Sequence, residues 1–246
     1  MNLAKRQAIY SGKAKSLYET DDAELLITEF RDDTTAFDGE KHEKLADKGR
    51  VNNAISAHIM EILAKEGVPT HFHSLLSPTE SLVKRLKMLP IENVVRNVAA
   101  GSICRRLGLE AGLELNPPLH ELFLKNDTLH DPLISAEHAL RFEWATSDQL
   151  NEMKSLSLKI NEILKALFAE HDMILVDAKY EFGVGSDGRV YLGDEISPDS
   201  CRIWDMTTRE KLDKDRFRQD LGNVVASYQK IAKRLGINVG EVPKRS

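Results

Sequence analysis

The sequence predicts an α+β fold in two lobes, the N-terminal one rich in antiparallel strands and the C-terminal one larger and mixed. Three observations predict it. Residues 1–92 hold short apolar runs broken by turn residues around one helical stripe. The remainder holds longer helical stripes flanking a β-hairpin. Strands and helices nowhere alternate as regular βαβ units. With 246 residues, 41% of them hydrophobic, the chain is long enough to bury a substantial core. A boundary between residues 88 and 102 divides it into residues 1–92 and 93–246, and the cleft between lobes is the default place for a ligand.

Residues 7–18 and 24–30 read as two strands joined through Asp21 and Asp22, with Leu25, Leu26, Ile27 and Phe30 as the apolar positions. Val51, Ile55, Ile59, Ile62 and Leu63 recur at helical spacing, which predicts a helix over 50–66 closed by Gly67 and Pro69. Short strands follow at 70–74, 80–88 and 91–98, separated by Ser77-Pro78 and by Pro90. Beyond Gly101 the pattern turns helical over 102–110. A longer helix begins at Thr146, where Thr-Ser-Asp-Gln has capping-box spacing, and carries Leu150, Met153, Leu156, Ile160, Ile163, Leu164 and Leu167. A hairpin over 174–196 and a last helix from Lys214 to Leu235, stopped by Gly236, complete the chain.

Composition narrows the function. The net charge is −5 with no long basic block, so nucleic-acid binding has no electrostatic source. No apolar run approaches membrane-spanning length, and the first residues lead into a polar strand rather than a secretion leader. Cys104 and Cys201 lack CxxC spacing, which argues against a disulfide framework or zinc site and fits a reducing cytoplasm.

The hairpin is the most informative stretch. Asp187-Gly188 has the form of a two-residue type I′ turn, and pairing outward from it sets Glu181 opposite Asp194. Alternation puts Asp177, Lys179 and Glu181 on one strand face. Such a face either points to solvent, where repulsion is screened, or holds a cation between the two carboxylates, as hard oxygens hold Mg2+.

Other stretches offer anion sites. Ser11-Gly12-Lys13-Ala14-Lys15 is either a phosphate-covering turn or a solvated edge. Arg96 precedes a run of small residues and Ser102 at a helix start, which suits an anion or, equally, a plain N-cap beside a surface arginine. Lys125 lies in a polar loop with His130 and Asp131. His71 and His73 alternate without a third ligand and receive no function. Charges interleaved over 209–218 read as a solvated helix face.

Taken together, Ser-Gly-Lys-Ala-Lys at 11–15, Thr-Ala-Phe-Asp-Gly at 35–39, Leu-Pro-Ile-Glu-Asn-Val-Val-Arg-Asn-Val-Ala-Ala-Gly-Ser at 89–102, Phe-Leu-Lys-Asn-Asp at 123–127, Asp-Ala-Lys-Tyr-Glu-Phe-Gly at 177–183 and Gly-Asp-Glu-Ile-Ser-Pro-Asp-Ser-Cys-Arg-Ile-Trp-Asp at 193–205 resemble the SAICAR synthetase family of purine biosynthesis over nearly the whole chain. The resemblance implies an ATP-covering N-terminal lobe related to kinase-like and ATP-grasp architectures. It implies an amide ligase that uses ATP and Mg2+ to join L-aspartate to the carboxylate of an aminoimidazole ribotide (CAIR), and it suggests a homodimer. It further implies that Lys13 and Lys15 hold ATP phosphates, that the stretch from Lys84 to Glu92 contributes to the adenine pocket, and that Arg96, Ser102 and Arg202 anchor CAIR. By the same resemblance Glu181 and Asp194 are Mg2+ ligands, Lys125 and Lys179 lie near the transferred phosphoryl group, and Asp177 and Asp199 position substrate. A rival reading, a small-molecule kinase on the same scaffold, differs in its acceptor.

Overall fold

The computed structural model describes residues 4–36 and 41–240; Phe37, Asp38 and Gly39 of the Thr-Ala-Phe-Asp-Gly motif lie outside the described residues. A five-stranded antiparallel sheet comes first, built from β1 (Ala8–Ser11), β2 (Lys15–Glu19), β3 (Leu25–Phe30), β6 (Phe72–Ser77) and β7 (Glu80–Lys84) in the order β1-β2-β3-β7-β6. The run expected to be one strand over 7–18 is a hairpin in its own right. It folds back at Gly12, whose N–H donates to the Lys15 carbonyl at 2.8 Å, and this projects Lys13 from the tip. A small ribbon of β4 (Asp33–Ala36) and β5 (Lys41–Lys44) leads to helix α1 (Lys48–Lys65). Val51, Ile55, Ile59, Met60 and Leu63 of α1 are buried, as their spacing requires.

The second sheet holds β8 (Lys87–Val98), β9 (Glu114–Leu124), β10 (Leu133–Ile134), β11 (Met173–Val184), β12 (Val190–Gly193) and β13 (Cys201–Asp205). Pro90 does not divide two strands, as its sequence position suggested. The chain changes sheets at Arg85 and Leu86, and Pro90 lies inside β8 at a bulge where Leu89, Pro90 and Ile91 together oppose Phe182. A bulge needs no donor from the proline nitrogen. Strand β8 therefore runs through residues 92 and 93.

Among the strands that escaped the sequence reading are β9 and β13. In β9, Pro117 and Pro118 hid an eleven-residue strand; they fall in the irregular stretch between the Arg96–Leu119 and Val98–Glu114 pairs, where β9 has β8 on one side only. In β13, five residues that read as part of a loop motif pair with the first half of β11. Strand β11 thus shares one edge between two partners, β13 over residues 173–178 and β12 over 181–184. The loop 194–200 leaves the sheet where they diverge.

Helix α2 (Ser102–Leu107) follows β8, and α3 (Ala136–Arg141) precedes α4 (Ser147–Glu170). Thr146 caps α4 with the reciprocal Gln149 bond that the sequence promised. Leu150, Met153, Ile160, Leu164 and Phe168 bury one face of α4 against β8 and β11. The last helix is not continuous. It consists of α5 (Asp215–Arg218) and α6 (Val224–Arg234), because Asp220, Gly222 and Asn223 take left-handed φ of 56°, 67° and 52°. The 209–218 stretch is not a solvated face either. Leu212, Asp213, Asp215, Arg216 and Phe217 are buried, and the Arg216 guanidinium donates to the carbonyls of Lys211, Leu221 and Gly222 that the broken helix leaves open. Among the described residues no helix is long and apolar enough to cross a membrane.

One pH effect follows from the β8–β9 pairing. His120 Nε2 lies 2.9 Å from Asn93 Oδ1, and burial pushes the imidazole down to about 4. A histidine whose folded pKa lies below its unfolded value stabilises fully above about pH 6.5 and loses that contribution as pH falls towards 4, because the unfolded chain takes the proton first. Between pH 7 and 5, His120→Gln should lose less stability than the parent by about 1 kcal/mol, allowing for partial exposure. Urea midpoints at the two pH values measure it, and parallel losses would contradict the assignment.

Candidate active site

The hairpin of β11 and β12 does not have the register expected from a two-residue turn. Val184 pairs with Val190, leaving residues 185–189 as the loop, so Glu181 faces Gly193 rather than Asp194. A type I′ turn needs two left-handed residues, and here only Gly188 has positive φ. Asp187 instead accepts the Arg189 N–H at 3.2 Å and the Tyr191 hydroxyl at 2.5 Å. A slip of one residue ordinarily moves a side chain to the other face. Asp194 returns to the site by another route: it leaves β12 with a φ of 55°, which turns the chain.

Around Glu181 and Asp194 the structure gathers three lysines. Lys179 Nζ reaches Glu181 Oε1 at 2.6 Å and Glu92 Oε1 at 2.7 Å, and Lys125 pairs with the second oxygen of Glu181. Lys15, from the start of β2, pairs with Asp194 and lies 3.0 Å from Glu195 Oε1. Glu181 is 3% exposed, so the solvated reading of this face fails: its charges are buried, and ammonium groups pair with both carboxylates. Burial disfavours the charge on Lys15, but Asp194, Glu195 and Glu181 outweigh it and hold the ammonium above the usual lysine range. Burial likewise disfavours ionised Asp194, yet Lys15, Lys179 and Lys125 hold its carboxyl below the usual range. For Glu92, burial prevails over Lys179 and raises the carboxyl.

Three ammonium groups here face four carboxylates, those of Glu92, Glu181, Asp194 and Glu195. The residual negative charge suits a cation. Among the described residues no group of three or more His, Cys, Asp or Glu side chains is placed to hold a metal alone. Magnesium, however, commonly takes one or two carboxylates and completes its shell with waters and substrate phosphates. Glu181 and Asp194 fit that habit.

Further along the same face, Asp177 opens a cluster of opposite balance. Arg96, 3% exposed, donates to Asp177 at 2.8 Å, to Glu121 at 2.6 Å and to the Ser102 hydroxyl at 3.2 Å. Arg202 donates to Asp177 at 2.9 Å and to Asp215 at 2.9 Å. Arg218 and Arg106 complete the group on Asp215 and Glu121, each at 2.6 Å. Four guanidinium groups answer three carboxylates, leaving positive charge for an anion. Asp213, pushed up to about 7 by burial and by Asp215, spends its oxygens on the N–H groups of Ile203 and Asp215. The bland reading of Arg96 as a surface charge fails, and Ser102 is not the cap of α2; Gly101 takes that position.

The remaining expected residues lie apart. Asp199 gives one oxygen to the Tyr228 hydroxyl and the other to Lys48, each at 2.7 Å, with Lys214 nearby. Lys48 is 1% exposed and also donates to the Asp33 carbonyl. Lys13, on the exposed β1–β2 turn, pairs with Asp127 at 2.9 Å. Lys84 does not join the other lysines; its ammonium lies 5.1 Å from the centre of the Tyr191 ring at the hairpin. Residues the sequence reading missed include Glu195, Glu121, Lys48, Asp215 and Arg218. Glu195 sits beside Asp194 in the quoted motif, but strand alternation assigns neighbours to opposite faces and gives no hint of the left-handed turn.

A family model described as SAICAR synthetase matches residues 8–235. The chain belongs to the SAICAR synthetase family. The phosphoribosylaminoimidazole-succinocarboxamide synthase of Coxiella burnetii is 67% identical over 97% of this chain and 99% of its own. Among solved structures, the synthase of that name from Ehrlichia chaffeensis superposes with a TM-score of 0.92 at 43% identity, covering 94% of this chain and 99% of the other. A SAICAR synthetase in complex with ADP gives 0.90 at 44% identity, covering 97% and 100%. In this SAICAR synthetase chain, one strand, β11, carries both the carboxylate-rich and the arginine-rich cluster.

Proposed function

We infer that this chain is an ATP-dependent ligase of purine biosynthesis that joins L-aspartate to the carboxylate of CAIR, giving SAICAR, ADP and phosphate. One observation carries the reading: β11 bears the carboxylate-rich cluster at Lys179 and Glu181 and the arginine-rich cluster at Asp177. The four residue steps from 177 to 181 span about 13 Å of strand, on the order of the length of a ribotide. The ADP bound by the related structure supports the nucleotide assignment.

In this reading the five-stranded sheet covers the nucleotide. Lys13 and Lys15 meet its phosphates, and Leu86 and Met88, which pack against Gly183 and Gly193, floor the adenine pocket beside Lys84 and Glu92. Arg96, Ser102 and Arg202 anchor the ribotide, with Asp177 fixing both arginines. Asp199 holds the 194–200 loop that carries substrate-facing groups. Magnesium bound by Glu181, Asp194 and nucleotide phosphates would draw charge from the transferred phosphoryl group. Lys125 and Lys179 neutralise the approach of the ribotide carboxylate to the triphosphate. The γ-phosphorus–oxygen bond to ADP breaks as the carboxylate oxygen takes the phosphoryl group, giving an acyl phosphate. The aspartate amine then attacks the carbonyl carbon, the bond to phosphate breaks, and the amine's proton passes to an oxygen of the departing phosphate. Cys104 and Cys201 are free thiols, in keeping with a cytoplasmic setting.

Turnover of ATP by the purified protein should require the ribotide carboxylate, aspartate and Mg2+ together. Phosphoryl transfer to a hydroxyl acceptor without aspartate would overturn the ligase in favour of a kinase.

A further inference from the structure

We propose that His71 is a positioning residue for Asp194, setting the carboxylate that serves magnesium and the nucleotide; the proposal rests on the function inferred above. The histidine bridges both sheets through its backbone. Its N–H donates to the Leu192 carbonyl at 2.8 Å and its carbonyl accepts the Lys84 N–H at 2.6 Å, while Thr70 forms a parallel bridge with Leu192. The segment between α1 and β6 is thus fastened to the end of β12, one residue before the chain turns at Gly193 and Asp194.

The side chain completes the arrangement. His71 Nε2 lies 2.9 Å from the backbone carbonyl oxygen of Asp194, and the bond is part-buried. Asp194 has a φ of 55°, a left-handed conformation that is unfavourable for an L-residue and persists only where surroundings hold it. The contact orients the peptide between Asp194 and Glu195, and that orientation brings both carboxylates onto Lys15. Only a hydrogen on Nε2 is needed, so the device does not depend on the charge of the ring. A mere packing role would need the ring's volume; a positioning role needs a donor at that reach.

Glutamine places an amide N–H at the reach of Nε2, whereas asparagine is one methylene short and leucine has no donor. In steady-state assays His71→Leu and His71→Asn should raise the KM for ATP and the half-saturating Mg2+ concentration about tenfold, with the ribotide KM changed less than twofold; His71→Gln should stay within threefold of the parent. Calorimetric titration of Mg2+ and ADP onto the same proteins should show the same order. Equal impairment of the glutamine and asparagine variants, a uniform loss across all substrates, or parental behaviour of His71→Asn would each overturn the proposal. Failure of the parent to form the amide, with the order intact in the calorimetry, would sink the ligase reading and leave the positioning role standing.

Discussion

Glu181→Gln is expected to lower kcat by about a hundredfold to a thousandfold, the range seen when one preorganised electrostatic group is removed from an active site, while the protein still folds. The substitution keeps the volume of a side chain that is 3% exposed and removes the charge that answers Lys125 and Lys179. It turns the local balance from one carboxylate in excess to three lysines against three carboxylates, which removes the surplus negative charge that draws magnesium. Removing one partner of a buried ion pair can cost about 3–5 kcal/mol, but the retained carbonyl oxygen still accepts one lysine, and Lys125, 44% exposed on its side chain, can turn to solvent. The expected stability loss is therefore smaller, about 1–2 kcal/mol. Thermal unfolding and Mg2+-dependent turnover measured on one preparation separate the two effects. Near-parental turnover with unchanged magnesium dependence would sink the metal assignment.

Gly101→Ala is expected to raise the KM for the ribotide about a hundredfold and to leave the KM for ATP within threefold. Gly101 has φ 65° and ψ −126°, which side-chain-bearing residues rarely adopt, and an added Cβ would stand 2.4 Å from Arg202 Nη2 and 2.7 Å from its Cζ. An arginine tip usually moves aside at little cost. This one is held by Asp177 and Asp215, so displacement breaks the pairs that aim it. Backbone strain adds an expected stability loss of about 1–3 kcal/mol. Steady-state kinetics with each substrate varied in turn measures the split, and an unchanged ribotide KM would remove Arg202 from the anchor.

Which parts of this were legible beforehand depended on the range of the interactions involved. Helices α1 and α4 could be read because a buried stripe and a capping box are written within a few residues of each other. The strand β9 could not, since its two prolines are local signals against a strand and only its position beside β8 makes them harmless. Likewise Arg216 and Asp215 looked like solvated charges in an alternating run, whereas the broken helix supplies carbonyls and arginines that bury them. His71 carried no signal at all; its partner is a backbone carbonyl that any residue would offer.

By itself the sequence determined the chemistry available: lysines, acids and arginines in motifs specific enough to place the chain in one family, and the single strand face shared by Asp177, Lys179 and Glu181. Tertiary structure alone decided how those groups are balanced. It moved the hairpin register by one residue, returned Asp194 through a left-handed turn, and brought Lys15 and Lys125 from distant segments to carboxylates just beyond β12 and on β11. The reason is physical. Side-chain alternation and turn preference act over two to four residues, whereas charge balance in a buried site is set by every group within several ångströms, wherever in the chain it originates.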